Sequence, residues 1–406
     1  MLTYAELTTA QSDFVDRYRT VRAHSEAICQ GLETEDYVVQ PVADVSPPKW
    51  HLGHTTWFWE TFVLIPYAPD YHIFHDDFSF VFNSYYESVG KRVLRTNRGN
   101  LSRPTVADVY RYRAHVDEQM DRLLENATLS SELQALIDLG LNHEQQHQEL
   151  LVYDIKYILG HNPLFPTIQM PLTSVDPAIW PTSPVSVDEG IYKVGYQDNG
   201  WGDARFHFDN EEGVHTVYIN AFSAEPTLIT NGDYLEFMQA GGYRDFRHWL
   251  ADGWALVNQT GAHAPLYWHL VDGEWWCYTF DGLQPIDKTE PVCHVSYYEA
   301  DAFARWRGQR LLTEFEWEVA SLSPRPFGWG ERWEWTQSAY LPYPGFTTAE
   351  GAVGEYNGKF MSGQIVLRGA SAATPAGHSR PTYRNFFQPD KQWQFSGIRL
   401  VSTHGI

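Results

Sequence analysis

The residues of this chain best suited to hold a metal ion are His143 and His147, in the run "LNHEQQHQELL" at 141–151. Histidines four apart on a helix share one face, with Cβ atoms roughly 6 Å apart, close enough to bind one ion. A second pair, His51 and His54, lies three apart in "PPKWHLGHTTWFWETF", on a helix opened by two prolines. A lone core histidine is ordinarily a packed, hydrogen-bonded imidazole. Two on one inward stripe, with another pair available across a bundle, point instead to a metal site. Spacing leaves open which of His51 and His54 contributes, and imidazole ligands suit zinc, nickel and iron. The run also fits the zinc-protease pattern H-E-x-x-H, in which Glu144 would be the general base. That chemistry needs a further ligand downstream, and the helix continues "QELLVYDIKY" with neither the expected glycine nor a third histidine.

Helices must position these side chains. Residues 1–160 carry helical periods, and four helices are predicted at 4–30, 48–65, 104–126 and 131–159, the number that makes a bundle. Ser130 or Ser131 can cap the last one, Glu132 sits in its first turn and Gly160 can end it. Its stripe Leu136, Gly140, His143, His147, Leu151, Ile155 and Ile158 aims both histidines inward. Residues 161–186 hold six prolines and read as a linker. From 187 to 406 the chain turns to short aromatic and β-branched runs broken by Gly, Asn and Asp. Two helices are predicted there, near "TNGDYLEFMQAGG" and "SYYEADAFARWRG". The fold class is therefore α+β in two domains.

Composition narrows the partners. With 29 basic against 51 acidic side chains, a net charge of −22 and no Lys/Arg cluster, a nucleic-acid partner is excluded. The three cysteines, Cys29, Cys277 and Cys293, have no metal-knuckle spacing and suit a reducing compartment. No window approaches 18 apolar residues, and the first twenty lack the apolar core of a signal peptide, so a cytoplasmic protein without a membrane span is expected. The sequence does not indicate an oligomeric state.

Four stretches in order, "SPPKWHLGHTTWFWE", "FNSYYESVGKRVLR" followed by "LSRPT", "NHEQQHQELL" and "RPTYRNFFQPDKQWQFSGIRL", resemble the ergothioneine-biosynthesis sulfoxide synthases. "PVCHVSYYEADAFARW" and "RWEWTQSAYLPYPGF" extend the likeness over nearly the whole chain. The resemblance implies a DinB-like four-helix bundle at 1–160 and, at 187–406, a mixed domain like the formylglycine-generating enzyme and C-type lectins. It implies Fe(II) as cofactor and O2 as co-substrate, joining cysteine or γ-glutamylcysteine to hercynine, the trimethylated betaine of histidine.

Carried over by position, it makes His54, His143 and His147 the iron ligands and leaves His51 structural, since family members vary at that position and some carry Asp. Gly53 replaces the alanine of many members, a change expected to leave the helix face undisturbed. Gln146 is implied to meet the betaine's imidazole, and Asn385, Phe386 and Phe387 to surround its trimethylammonium end, which aromatic faces can recognise. Arg92 and Arg95 are candidates to hold the thiol substrate's carboxylate. Tyr85 and Tyr86 are candidate catalytic phenols, and their tandem resembles the branch that uses free cysteine.

The same architecture serves a selenium-using relative, selenoneine synthase, and an ovothiol-type synthase that usually carries an added methyltransferase domain. A metal-dependent DinB-type thiol transferase with a lectin-like binding domain is the alternative from another class. Formylglycine generation is disfavoured, because the C-terminal motifs hold no cysteine pair that would do its work, and Cys277 and Cys293 are isolated.

Overall fold

The computed structural model describes residues 4–84, 86, 89–126, 129–175, 180–197, 206–348 and 357–403, with side chains from Asp13 onward. The chain divides into two compact units, Met1–Pro171 and Leu172–Ile406.

The first unit is helical. Its bundle is made by α1 (Tyr4–Cys29), α2 (Pro48–Phe58), α5 (Val106–Asn126) and α6 (Ser131–Gly160), with α1 and α2 each packed on both α5 and α6. Pro48 opens α2, where its missing N–H costs nothing and its fixed φ suits the first turn. The helix then runs through a π turn (Trp59–Leu64) into α3 (Ile65–Tyr67), and α4 (Phe78–Phe82) follows. Ser130 caps α6, its Oγ accepting the Leu133 N–H at 3.2 Å.

The stripe predicted for α6 was too narrow. Leu136 is only half-buried, while Leu133, Ile137 and Leu141 are buried, and so are Glu144, Gln148 and Asp154. This helix lies in the middle of its unit, so its polar residues must find partners inside the bundle. Two glycines set how closely the helices approach. A Cβ on Gly140 would stand 2.6 Å from the Trp59 ring, and one on Gly53 would stand 2.1 Å from the Phe82 ring. Gly53 is thus a packing requirement of this chain, not the neutral exchange expected of it.

In the second unit α7 (Asn231–Gln239) and α9 (Tyr297–Trp306) match the two predicted helices, and α8 (Ala251–Thr260) and α10 (Glu314–Ser321) are additional. Its strands are β1 (Val185–Val187), β2 (Gly190–Val194), β3 (His215–Ile219), β4 (Phe222–Ala224), β5 (Trp268–Val271), β6 (Glu274–Thr279), β7 (Gly282–Pro285), β8 (Arg310–Leu311), β9 (Trp333–Ala339), β10 (Ile365–Arg368), β11 (Asn385–Phe387), β12 (Ser396–Gly397) and β13 (Leu400–Thr403). Among the described residues they form sheets ordered β1-β4-β13-β8, β11-β10-β9-β12, β2-β3 and β5-β6-β7. The core includes Val194, Phe222, Leu312, Trp317 and Val401. Buried pairs join Arg368 to Glu318, Arg384 to Glu314 at 2.8 Å and Arg399 to Glu334 at 2.7 Å, giving each buried charge a partner.

Candidate metal centre

Helices α2 and α6 bring His54, His143 and His147 together. Each offers one ring nitrogen, these lie within 4.8 Å of one another, and all three residues are buried. His54 Nδ1 is used by a 2.7 Å hydrogen bond to the Phe82 carbonyl, which leaves its Nε2 without a hydrogen-bond partner among the described residues. Among the described residues, His143 finds no hydrogen-bond partner at either nitrogen, and it stacks on Phe58, ring centroids 4.5 Å apart. His147 Nδ1 lies 3.0 Å from His51 Nδ1.

Buried polar nitrogens without partners are costly unless something else uses their lone pairs. Burial first, then the neighbouring imidazoles, pushes His54 and His147 well below the ordinary histidine range, and burial brings His143 to about 4. At neutral pH these are three neutral imidazoles sharing one small space, which is the donor set a divalent transition metal takes.

Glu144, the acid of the H-E-x-x-H pattern, points elsewhere. Its carboxylate accepts hydrogen bonds from Ser25 Oγ at 2.7 Å, Trp59 Nε1 at 2.9 Å and Arg22 Nη1 at 3.0 Å, and pairs with Arg113. Burial alone would raise its pKa, but Arg22 and Arg113 hold it down to about 2. Such a carboxylate is a poor general base, and the protease reading fails on direction as well as on sequence.

His51, the histidine that spacing could not separate from His54, has both ring nitrogens engaged, Nδ1 with His147 and Nε2 with a carboxylate. Its Nε2 is 2.9 Å from Asp154 Oδ2, which also accepts the Ser46 N–H at 2.8 Å. Around His54 stands a column of flat groups. Trp50 stacks on one face with centroids 4.6 Å apart and Trp57 on the other at 5.4 Å, and the Arg98 guanidinium lies 3.2 Å from the Trp50 ring centroid. This column clamps the imidazole's orientation.

The remaining predicted residues are distributed as follows. Gln146 is half-buried on α6 beside His147. Tyr86 is buried, its ring 5.5 Å from Trp57 and 5.4 Å from Phe62, and Tyr85 lies outside the described residues. Arg92 is half-buried, whereas Arg95 is exposed and bonded through its guanidinium to the Asp44 carbonyl. Asn385, Phe386 and Phe387 form β11 in the second unit, where Phe386 stacks on Tyr340 at 4.1 Å and Phe387 packs edge-on to Trp393.

Sequence reasoning missed Trp50, Phe82, Arg98 and Asp154. Asp154 had a signal, since it follows His147 by seven residues and so shares its helical face. Arg98 had none.

Comparison with known proteins agrees with the two-part architecture. Residues 17–151 match the DinB superfamily, and residues 173–331 match the sulfatase-modifying factor enzyme 1-like domain. The chain is 30% identical to a hercynine oxygenase of Mycolicibacterium thermoresistibile, over 71% of this chain and 72% of that one. It is 32% identical to a hercynine oxygenase of Mycolicibacterium smegmatis, over 65% and 70% respectively. A formylglycine-generating enzyme of Streptomyces coelicolor is 35% identical over 30% of this chain and 44% of its own length.

Proposed function

The chain belongs to the hercynine oxygenase family, and we propose that it joins cysteine to hercynine by an Fe(II)- and O2-dependent reaction that ends in a sulfoxide. The observation that carries this reading is the buried set of three imidazoles, with nitrogens of His54 and His143 that no other group among the described residues uses. The chemistry Fe(II) would supply there is the activation of O2 and a thiol in one place, because three neutral ligands leave the ion its double charge and open positions.

The balance is simple. Joining an imidazole C–H to a thiol S–H releases two electrons and two protons, and oxidising the sulfur to the sulfoxide releases two more electrons. One atom of O2 stays on sulfur and the other leaves as water with those two protons.

This chain's residues set the geometry for that exchange. The Phe82 carbonyl and the Trp50–Trp57 sandwich orient His54, and Phe58 backs His143. Gln146 is the proposed hydrogen-bond partner of the substrate's imidazole. The aromatic strand β11 supplies rings of the kind that recognise a quaternary ammonium group. Arg92 and Arg95 are the proposed holders of the thiol substrate's carboxylate, and the Arg95 guanidinium also meets the Asp44 carbonyl.

The test is anaerobic reconstitution with Fe(II), followed by O2 uptake with and without hercynine and with cysteine or γ-glutamylcysteine. Uptake that needs both substrates, with the cysteine sulfoxide adduct found by mass spectrometry, is the expected result. Product formation without O2 would overturn it.

A further inference from the structure

The three histidines are held in three different ways. His54 is fixed by a main-chain carbonyl and His143 by stacking alone, while His147 leans on a second imidazole that leans in turn on a buried carboxylate. We infer that His51 and Asp154 form a positioning relay that fixes the tautomer and direction of His147, so that its Nε2 lone pair is the one offered to the metal. The inference rests on the three-histidine reading above and adds residues that do not touch the ion.

The polarity of the relay follows from its ends. Asp154 Oδ2 already accepts the Ser46 N–H at 2.8 Å, and as a carboxylate it accepts from His51 Nε2 at 2.9 Å as well, so His51 carries its proton on Nε2. A neutral His51 then has only a lone pair on Nδ1. The 3.0 Å contact between the two Nδ1 atoms is a hydrogen bond only if His147 carries its proton on Nδ1 and donates it. His147 Nε2 is left bare.

The reverse arrangement, with His147 protonated on Nε2, would place two lone pairs face to face at Nδ1. The relay therefore selects the metal-ready tautomer and passes part of the carboxylate's charge to the ligand. A carboxylate bonded directly to a ligand histidine does the same work in many metal sites. Here one imidazole is interposed. His51, His147 and Asp154 are all buried, so water does not compete for these bonds.

The test is Co(II) titration of the full apo chain, read by affinity and by the visible ligand-field spectrum, with thermal melting of each apo variant alongside. Glutamine can imitate the relay, accepting from His147 through its carbonyl and donating to Asp154 through its amide. Leucine fills the space and does neither. Asp154→Asn keeps the shape and, with its carbonyl oxygen in the Oδ2 position, can keep the bonds from Ser46 and His51, but it removes the negative charge that the relay passes on.

The expected result is that His51→Leu and Asp154→Asn weaken Co(II) roughly ten- to hundredfold and shift its spectrum, while His51→Gln stays within about tenfold of the wild type. Wild-type affinity and spectrum in both His51→Leu and Asp154→Asn would overturn the relay. Equal weakening by Leu and Gln would reduce His51 to packing and overturn it too. If His51→Leu does not fold, the isosteric Asp154→Asn decides alone. Failure of the three-histidine reading has its own signature, Co(II) binding by the wild type that His143→Leu leaves intact.

Discussion

Helix α6 has two polar faces that differ in one respect. On one, His143 has no hydrogen-bond partner at either nitrogen among the described residues. On the other, Glu144 accepts from Ser25, Trp59 and Arg22 and pairs with Arg113, and Gln148 donates its amide to the Val21 carbonyl at 2.6 Å and to Ser25 Oγ at 3.0 Å. Adjacent residues in sequence, buried to the same depth, thus have opposite accounts. The bonded face closes its polar groups on one another and ties α6 to α1, α5 and the π turn. The other face keeps lone pairs that no described residue uses. Burial of a polar group therefore says little until its partners are counted.

The contrast can be broken most forcefully at Glu144. Glu144→Gln leaves Arg22 and Arg113 buried with one negative charge fewer, and should lower unfolding stability by about 3–5 kcal/mol, measured by denaturant titration of the apo chain. The acid limb gives a second reading. Glu144 is held down to about 2 from the 4.5 of an ordinary glutamate. Its contribution is therefore complete above the unfolded value and lost as pH falls from there toward the folded one. The variant should lose less stability than the wild type across that window. Matching acid limbs would show that the network does not hold the charge.

His143→Leu should do the opposite, one residue away. Leucine is of similar volume and removes two polar atoms that have no partner, so apo stability should be unchanged or higher. Co(II) or Fe(II) affinity should fall more than about a hundredfold, that is by more than about 2.7 kcal/mol. A variant that melts early yet still binds metal would reverse the roles assigned to the two faces.

Between these extremes lies Gly53. Its added methyl in Gly53→Ala would meet Phe82, the residue whose carbonyl fixes His54. Forcing that ring aside should cost about 1–3 kcal/mol of stability and should weaken metal binding as well, because His54 moves with its anchor. Stability lost with metal affinity intact would separate the packing of Phe82 from its hydrogen bond.

Much of this was legible because helices obey short-range rules. The caps, the proline start of α2 and the i, i+4 spacing placed the bundle's helices within a few residues and put His143 and His147 on one face. The choice between His51 and His54 was not legible from spacing, because both are buried on α2 and only the tertiary direction of each ring separates a metal-facing nitrogen from one turned to Asp154. In the second unit α8 and α10 escaped notice although Thr313 and Glu316 form a capping box and Gly261 ends α8 at φ +69°. Both helices are short and embedded in aromatic, β-branched sequence, so composition outweighed the local signals. Arg98 reaches Trp50 across some fifty residues of chain, a contact no local pattern encodes.

The finest test concerns a residue on neither face of α6. Tyr86 is buried against Trp57, which stacks on His54, so a single ring lies between the phenol-bearing side chain and a proposed ligand. Its backbone is held by Asn83, which accepts the Tyr86 N–H at 3.2 Å and donates to the Tyr86 carbonyl at 3.1 Å. A backbone anchored at both polar groups fixes where the side chain starts, and proton delivery needs a fixed donor. The competing outcome in such a site is thiol dioxygenation, in which both oxygen atoms end on sulfur as the sulfinate and no water is released. Forming the sulfoxide adduct instead sends one oxygen out as water, and that atom must receive protons. A phenol remains protonated at neutral pH and can supply one. Tyr86→Phe removes only the hydroxyl, so metal and both substrates should still bind. The ratio of cysteine–hercynine sulfoxide to cysteine sulfinate should fall by about tenfold or more, measured by mass spectrometry after a limited O2 pulse. An unchanged ratio would make Tyr86 a packing residue of the Trp57–Phe62 cluster and leave proton delivery to another group.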